Sequence, residues 1–157
     1  MISGFHHFSI ACSDADRSAA FYRDVFGMEP ISDRDVPSGG FVERVTGVPG
    51  AHVRIVHLRG HGFNFELLEY REPRGDERAR EPNHAGSAHL CFTTEDLDAE
   101  YQRLAGLGLR FRSPGPVTVV GGPNDGGKAL YLEDPDGNPV EVVELAHAWP
   151  GEGGGRG

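Results

Sequence analysis

Four residues of this chain have the types and the placement for metal chemistry: His7, Glu66, His89 and Glu141. Glu141 is the plainest. It stands in Val140-Glu141-Val142-Val143, just after the turn Asp134-Pro135-Asp136-Gly137-Asn138. A carboxylate inside a β-branched run is costly to bury and asks for a partner, and a metal ion is the partner that satisfies two acids facing one cavity. Glu66 is the second acid, in Phe65-Glu66-Leu67-Leu68, where it shares a strand face with Asn64 and Leu68. His7 shares its face with Phe5, Ser9 and Ala11, and His89 occupies the matching place in Ser87-Ala88-His89-Leu90-Cys91.

The elements that must position these residues occur twice. Residues 4–12 alternate like a half-buried strand. Ser13-Asp14 offers an N-cap to a helix that carries Ala20, Phe21 and Val25 and stops at Gly27. A short edge strand is expected over 28–33, then a loop over 37–50 with one turn of helix. A hairpin follows, 51–59 and 63–70, around Gly60-His61-Gly62. The polar stretch 71–85 reads as a linker. The pattern then restarts: strand 87–94, a helix with Leu97, Tyr101 and Leu104 on one stripe, strand 109–112, a Pro/Gly loop to Gly127, and a closing hairpin of 128–133 and 139–145. The tail from Ala146 has the composition of a disordered end.

Each half therefore reads β-α-β-β-β, giving an α+β domain over 1–145 built from two repeats, 4–70 and 86–145. The interval between the histidines is 82 residues (7 to 89) and between the glutamates 75 (66 to 141), a difference that loops absorb. A repeat of about 80 residues is too long for a solenoid and fits two copies of one supersecondary unit. A pseudo-twofold axis would gather His7, Glu66, His89 and Glu141 into one mixed nitrogen and oxygen site. That donor set suits Zn, Ni, Co, Mn or Fe as the divalent ion, with one or two positions open to water or substrate. Taken singly, an inward strand His is more often a hydrogen-bonded core residue. Four ligand-type residues at matching repeat positions are hard to obtain from packing alone. His57, on a neighbouring strand, and Cys91, on the face of His89, are candidates to line the cavity; His6 should point away from His7 if the strand is regular.

Totals exclude other classes. A net charge of −9 works against a phosphate backbone, so no nucleic acid partner is expected. No apolar run approaches the roughly 18 residues of a membrane span. The start lacks an export signal, and two cysteines make no disulfide framework, so a cytoplasmic location is expected.

Three stretches, HHFSIACSDADRSAAFYRDVFGM, GSAHLCFTTEDLDAEYQRLAGLG and YLEDPDGNPVEVVEL, resemble the vicinal oxygen chelate superfamily, which includes glyoxalase I, methylmalonyl-CoA epimerase, extradiol dioxygenases and antibiotic resistance proteins. The likeness spans 4–145. It implies a partly open, curved mixed sheet (a half-barrel) around a metal cavity, often completed by a second chain, hence a homodimer. Resemblance to glyoxalase I maps His7, Glu66, His89 and Glu141 onto the four ligands in order. Two positions depart from it: Ala11 stands where glyoxalase I has an Arg for a glutathione carboxylate, and Tyr70 where it has an Asn. Both argue against glutathione.

The resulting expectation is a metal-dependent enzyme that chelates a small substrate through two adjacent oxygens and moves a proton, as isomerase, lyase or epimerase. Glu141 is the first candidate for the base and Glu66 the second. The alternatives are an Fe(II) extradiol dioxygenase using His7, His89 and Glu141, and a non-catalytic module that sequesters a small molecule such as an antibiotic.

Overall fold

A computed structural model describes residues 1–76 and 81–148. The chain divides into two compact units, 1–78 and 79–157, a division that falls inside the polar stretch 71–85. The architecture is α+β, with one open four-stranded mixed sheet in each unit.

In the first unit the elements are β1 (Phe8–Ala11), α1 (Ala15–Phe26), β2 (Glu29–Val36), α2 (Phe41–Thr46), β3 (His52–Gly60) and β4 (Phe63–Glu72). The strand order is β1-β4-β3-β2, with β1 parallel to β4 and the other pairs antiparallel. Asp14 caps α1, its side chain accepting from Arg17 N. Gly27 ends it at φ 66°, a left-handed conformation that a Cβ would strain. The buried stripe of α1 is Ala15, Ser18, Tyr22 and Phe26. The expected stripe through Ala20, Phe21 and Val25 is rotated by one position from this one, since Tyr22 and Phe26 rather than Phe21 and Val25 are the aromatic and apolar side chains buried against the sheet. Tyr22 meets Phe65 edge-on at 4.7 Å between ring centroids, and Phe65 and Leu67 are fully buried on that side. The opposite face of β3 and β4 carries Val53, Ile55, Leu68 and Tyr70, which pack with Val36 and Val42 at one end and leave the other end polar.

The hairpin joining β3 and β4 turns at His61 (φ 50°) and Gly62 (φ 80°), the pair of positive φ values that a tight two-residue hairpin requires. It fixes a register in which His57 lies opposite Glu66.

In the second unit the elements are β5 (Leu90–Thr94), α3 (Leu97–Gly106), β6 (Val117–Thr118), β7 (Lys128–Glu133) and β8 (Pro139–Glu144), in the sheet order β5-β8-β7-β6. Leu97 and Leu104 of α3, Leu130 and Leu132 of β7, and Val140 and Val142 of β8 form its core. The turn before β8 is organised by Asp134, which is 2% exposed. Its Oδ1 accepts from Asp136 N and Asn138 N, and its Oδ2 from Asn138 Nδ2, so a buried carboxylate is satisfied by three donors.

The repeat extends to the ends of the helices. Glu69 Oε2 accepts from Ala15 N at 3.3 Å, and Glu144 Oε2 accepts from Leu97 N at 2.8 Å. Each glutamate lies three positions beyond Glu66 or Glu141 and places its charge at a helix N-terminus, where free N–H groups and the dipole favour it.

Several boundaries differ from expectation. The first strands begin at Phe8 and Leu90, so His7 and His89 each stand one residue ahead of their strand. The edge strand β2 runs eight residues to Val36, longer than the expected 28–33. No strand forms over 109–112. Phe111 makes an isolated bridge to Leu132, and the chain, interrupted by Pro114 and Pro116, pairs with β7 again at Val117–Thr118. The expected linker begins later, since β4 extends to Glu72. Ala146 N donates to Asn124 Oδ1 at 3.0 Å, and most of the expected disordered tail, from 149, lies outside the described residues.

Candidate metal centre

In each unit α1 or α3 covers one sheet face and the His–Glu pair lies on the other, one end of which α2 covers in the first unit. In the first unit Phe65 and Leu67 face α1, so the period of two turns Glu66 the opposite way. In the second unit Val140 and Val142 face α3, and Glu141 between them looks out of the helix-free side. Glu141 is therefore not sealed in: its side chain keeps 19% of its exposure and Glu66 keeps 14%.

His7 Nε2 lies 3.4 Å from Glu66 Oε1, and His89 Nε2 lies 3.1 Å from Glu141 Oε2. Two ligands each about 2.0–2.2 Å from one ion stand roughly 3.0 Å apart at a right angle and about 3.4 Å apart at the tetrahedral angle. Both pairs have that spacing. Each pair by itself offers one imidazole nitrogen and one carboxylate oxygen, donors that suit a borderline divalent ion. Among the described residues no three His, Cys, Asp or Glu side chains converge closely enough within one group to hold an ion.

Neighbouring side chains differ between the two pairs. In the first unit the sheet register sets Ser32 opposite His57, His57 opposite Glu66 and Glu66 opposite Ser9. His57 Nε2 is 3.0 Å from Glu66 Oε2, so both oxygens of Glu66 face imidazoles. His6 does not point away from His7. The two Nδ1 atoms are 2.8 Å apart, because the regular strand starts only at Phe8 and alternation does not govern the residues before it. The bond occupies Nδ1 of His7 and leaves Nε2 turned to Glu66.

In the second unit Tyr131 and Cys91 flank Glu141 in the register. The Tyr131 hydroxyl is 3.1 Å from His89 Nε2. Burial, and then the charge of Glu141, push the Tyr131 phenol up to about 12. Cys91 is exposed as a residue, yet burial of its thiol together with Glu141 raises it likewise to about 12. Both groups keep their protons at neutral pH. Tyr131 is thereby a proton donor beside the pair.

Other acidic clusters serve structure. Arg54 bridges Asp16 at 2.8 Å and Asp33 at 2.7 Å on the helix side of the first sheet, and its guanidinium holds both carboxyls below their usual range. A groove of about 410 Å³ opens there, lined by Ala19, Ile31, Asp33, Arg54 and Val56, on the face away from His7 and Glu66. Of the residues around the candidate ligands, His57 was foreseeable: a hairpin centred on His61-Gly62 must pair position 57 with 66. The same count around the Asp134–Asn138 turn pairs Tyr131 with Glu141.

The family model described as Glyoxalase/Bleomycin resistance protein/Dioxygenase superfamily matches residues 4–142. A 2-epi-5-epi-valiolone epimerase of Actinomyces is 31% identical over 154 residues, covering 94% of this chain and 82% of that protein. An ethylmalonyl-CoA/methylmalonyl-CoA epimerase of Cereibacter sphaeroides is 28% identical over 145 residues, covering 92% and 98%. A glyoxalase family protein from Bacillus cereus superposes with a TM-score of 0.76 at 21% identity, over 94% of this chain and 97% of that one.

Proposed function

Since the chain belongs to the Glyoxalase/Bleomycin resistance protein/Dioxygenase superfamily, we propose that it is a divalent-metal-dependent enzyme of the isomerase, lyase or epimerase type. It takes a small substrate with two adjacent oxygens and moves a proton at the carbon beside a carbonyl. His7, Glu66, His89 and Glu141 are the ligands. One observation carries the reading: each unit independently presents a His–Glu pair, at the spacing of two ligands on one ion, from the sheet face opposite α1 or α3. Relatives named as epimerases and lactoylglutathione lyases support an enzyme rather than a sequestering module.

The ion, when bound, supplies an electrophile that polarises the substrate oxygens and stabilises the charge that develops on them. The residues do the rest. Glu66, engaged on both oxygens by His7 and His57, is suited to stay fixed. Glu141, with His89, Tyr131 and Cys91 as neighbours, is the carboxylate that would take the proton from the carbon acid. Tyr131, protonated at neutral pH, stands where it can donate to a developing negative oxygen. Ala11 and Tyr70 leave the position of a glutathione carboxylate without a cation, so the substrate class is a carbon acid other than a glutathione adduct.

The test is exchange of the substrate α-proton with solvent. Metal-loaded protein is incubated in D2O with α-keto hemithioacetals, α-substituted acyl thioesters and catechols, and followed by NMR and an oxygen electrode. Deuterium is expected at the carbon next to a carbonyl, without oxygen uptake. Oxygen uptake with a catechol and no exchange would assign the chain to dioxygenase chemistry instead.

A further inference from the structure

Ser32 and His57 belong to neither His–Glu pair, yet they form one row with Glu66. Ser32 Oγ is 2.8 Å from His57 Nδ1, and His57 Nε2 is 3.0 Å from Glu66 Oε2. A carboxylate only accepts, so the proton between them sits on Nε2. In the neutral ring Nδ1 then accepts from the Ser32 hydroxyl. The three side chains make a directed chain, hydroxyl to imidazole to carboxylate, that ends on the oxygen of Glu66 not facing His7. The second unit has no counterpart, because Tyr131 occupies the position paired with Glu141.

We propose that Ser32 and His57 are positioning residues that hold Glu66 by Oε2 and present Oε1 to the ion. The inference rests on Glu66 being a ligand. A glutamate side chain is flexible, and an ion that binds it must order it at the expense of affinity. Here the sheet has already done the ordering. Nothing in packing requires the arrangement: β2 is exposed along seven of its eight residues, and Ser32 buries no apolar surface there. Hydrogen-bonded partners of ligands are typically worth 10- to 100-fold in metal affinity.

Calorimetric titration of the metal-free protein with Zn²⁺, and the visible spectrum of the Co²⁺ form, test this on wild type, His57→Leu, His57→Gln and Ser32→Ala. His57→Leu is expected to weaken metal binding about 10- to 100-fold and to change the Co²⁺ bands. His57→Gln, whose amide nitrogen can still donate to Oε2, recovers most of the affinity. Ser32→Ala, on an exposed strand that tolerates the change, loses severalfold and keeps the inference testable if the Leu variant folds poorly. Equal affinity in wild type and both non-donating variants, with an unchanged Co²⁺ spectrum, overturns the positioning role and leaves the ligand reading standing. A His57→Gln variant as weak as His57→Leu overturns it too, since packing rather than donation would then be at work. If wild type takes up no metal, the ligand reading falls and this inference with it.

Discussion

Glu141→Gln is expected to keep the fold and to lower turnover by about 100- to 10,000-fold, the range that a positioned acid–base group contributes. Gln matches Glu in size and can still offer its amide oxygen to an ion, so the metal should remain with reduced affinity. What the amide cannot do is accept the substrate proton. The substitution is also mild for the sheet: Glu141 projects from the side of β8 opposite Val140 and Val142, and no core contact depends on its charge. The measurement is the rate of α-proton exchange at saturating metal, beside the same variant at Glu66. Glu66→Gln is expected to lose metal affinity first, with a smaller loss of exchange once the ion is restored. A Glu141→Gln protein with full exchange would move the base to Glu66.

Phe65→Ala is the substitution expected to cost most in stability, about 3–5 kcal/mol, from lost transfer and an unfilled cavity. Phe65 is fully buried, meets Tyr22 edge-on at 4.7 Å and stacks near Phe8 at 6.4 Å, so α1, β1 and β4 all lose a partner at once. Against a total of about 5–15 kcal/mol for a domain, that is a large fraction. Because Glu66 is the next residue on β4, metal affinity should fall as well, through loosening of the strand rather than loss of a ligand. Urea denaturation of the metal-free protein gives the stability change directly. A loss below about 1 kcal/mol would mean that the cavity collapses and that Phe65 does not organise this core.

Much of this was legible in the sequence because the two halves repeat both a pattern and a chemistry. The strand–helix–strand order and the placing of Glu66 and Glu141 between buried neighbours follow from local periodicity, and the cap Asp14 from residue type. The misreadings have physical causes. The period of two was carried back through His6 and His7, but pairing with β4 starts at Phe8, so His6 is free to turn onto its neighbour. The buried stripe of α1 lies one position on from Phe21 and Val25, because the sheet takes Tyr22 and Phe26 together with the small Ala15 and Ser18. Residues 109–112 have the composition of a strand, yet the prolines that follow allow only one bridge before the chain leaves β7. The neighbours His57 and Tyr131 depend on cross-strand register. No single stretch displays that, although counting back from each hairpin turn recovers it. Glu141 stands out in the sequence for the cost of burying a charge among valines; Val140 and Val142 are buried, while the Glu141 side chain keeps 19% of its exposure.

The central claim is that His7, Glu66, His89 and Glu141 serve one divalent ion. Metal-free protein dialysed against Zn²⁺ or Ni²⁺ and analysed for bound metal tests it most directly, in parallel with His7→Ala, Glu66→Ala, His89→Ala and Glu141→Ala. The account predicts one ion per chain in wild type and a large loss of affinity in all four variants, whichever unit carries the change. Two independent ions per chain, or an ion that survives unchanged when either histidine is removed, would contradict it.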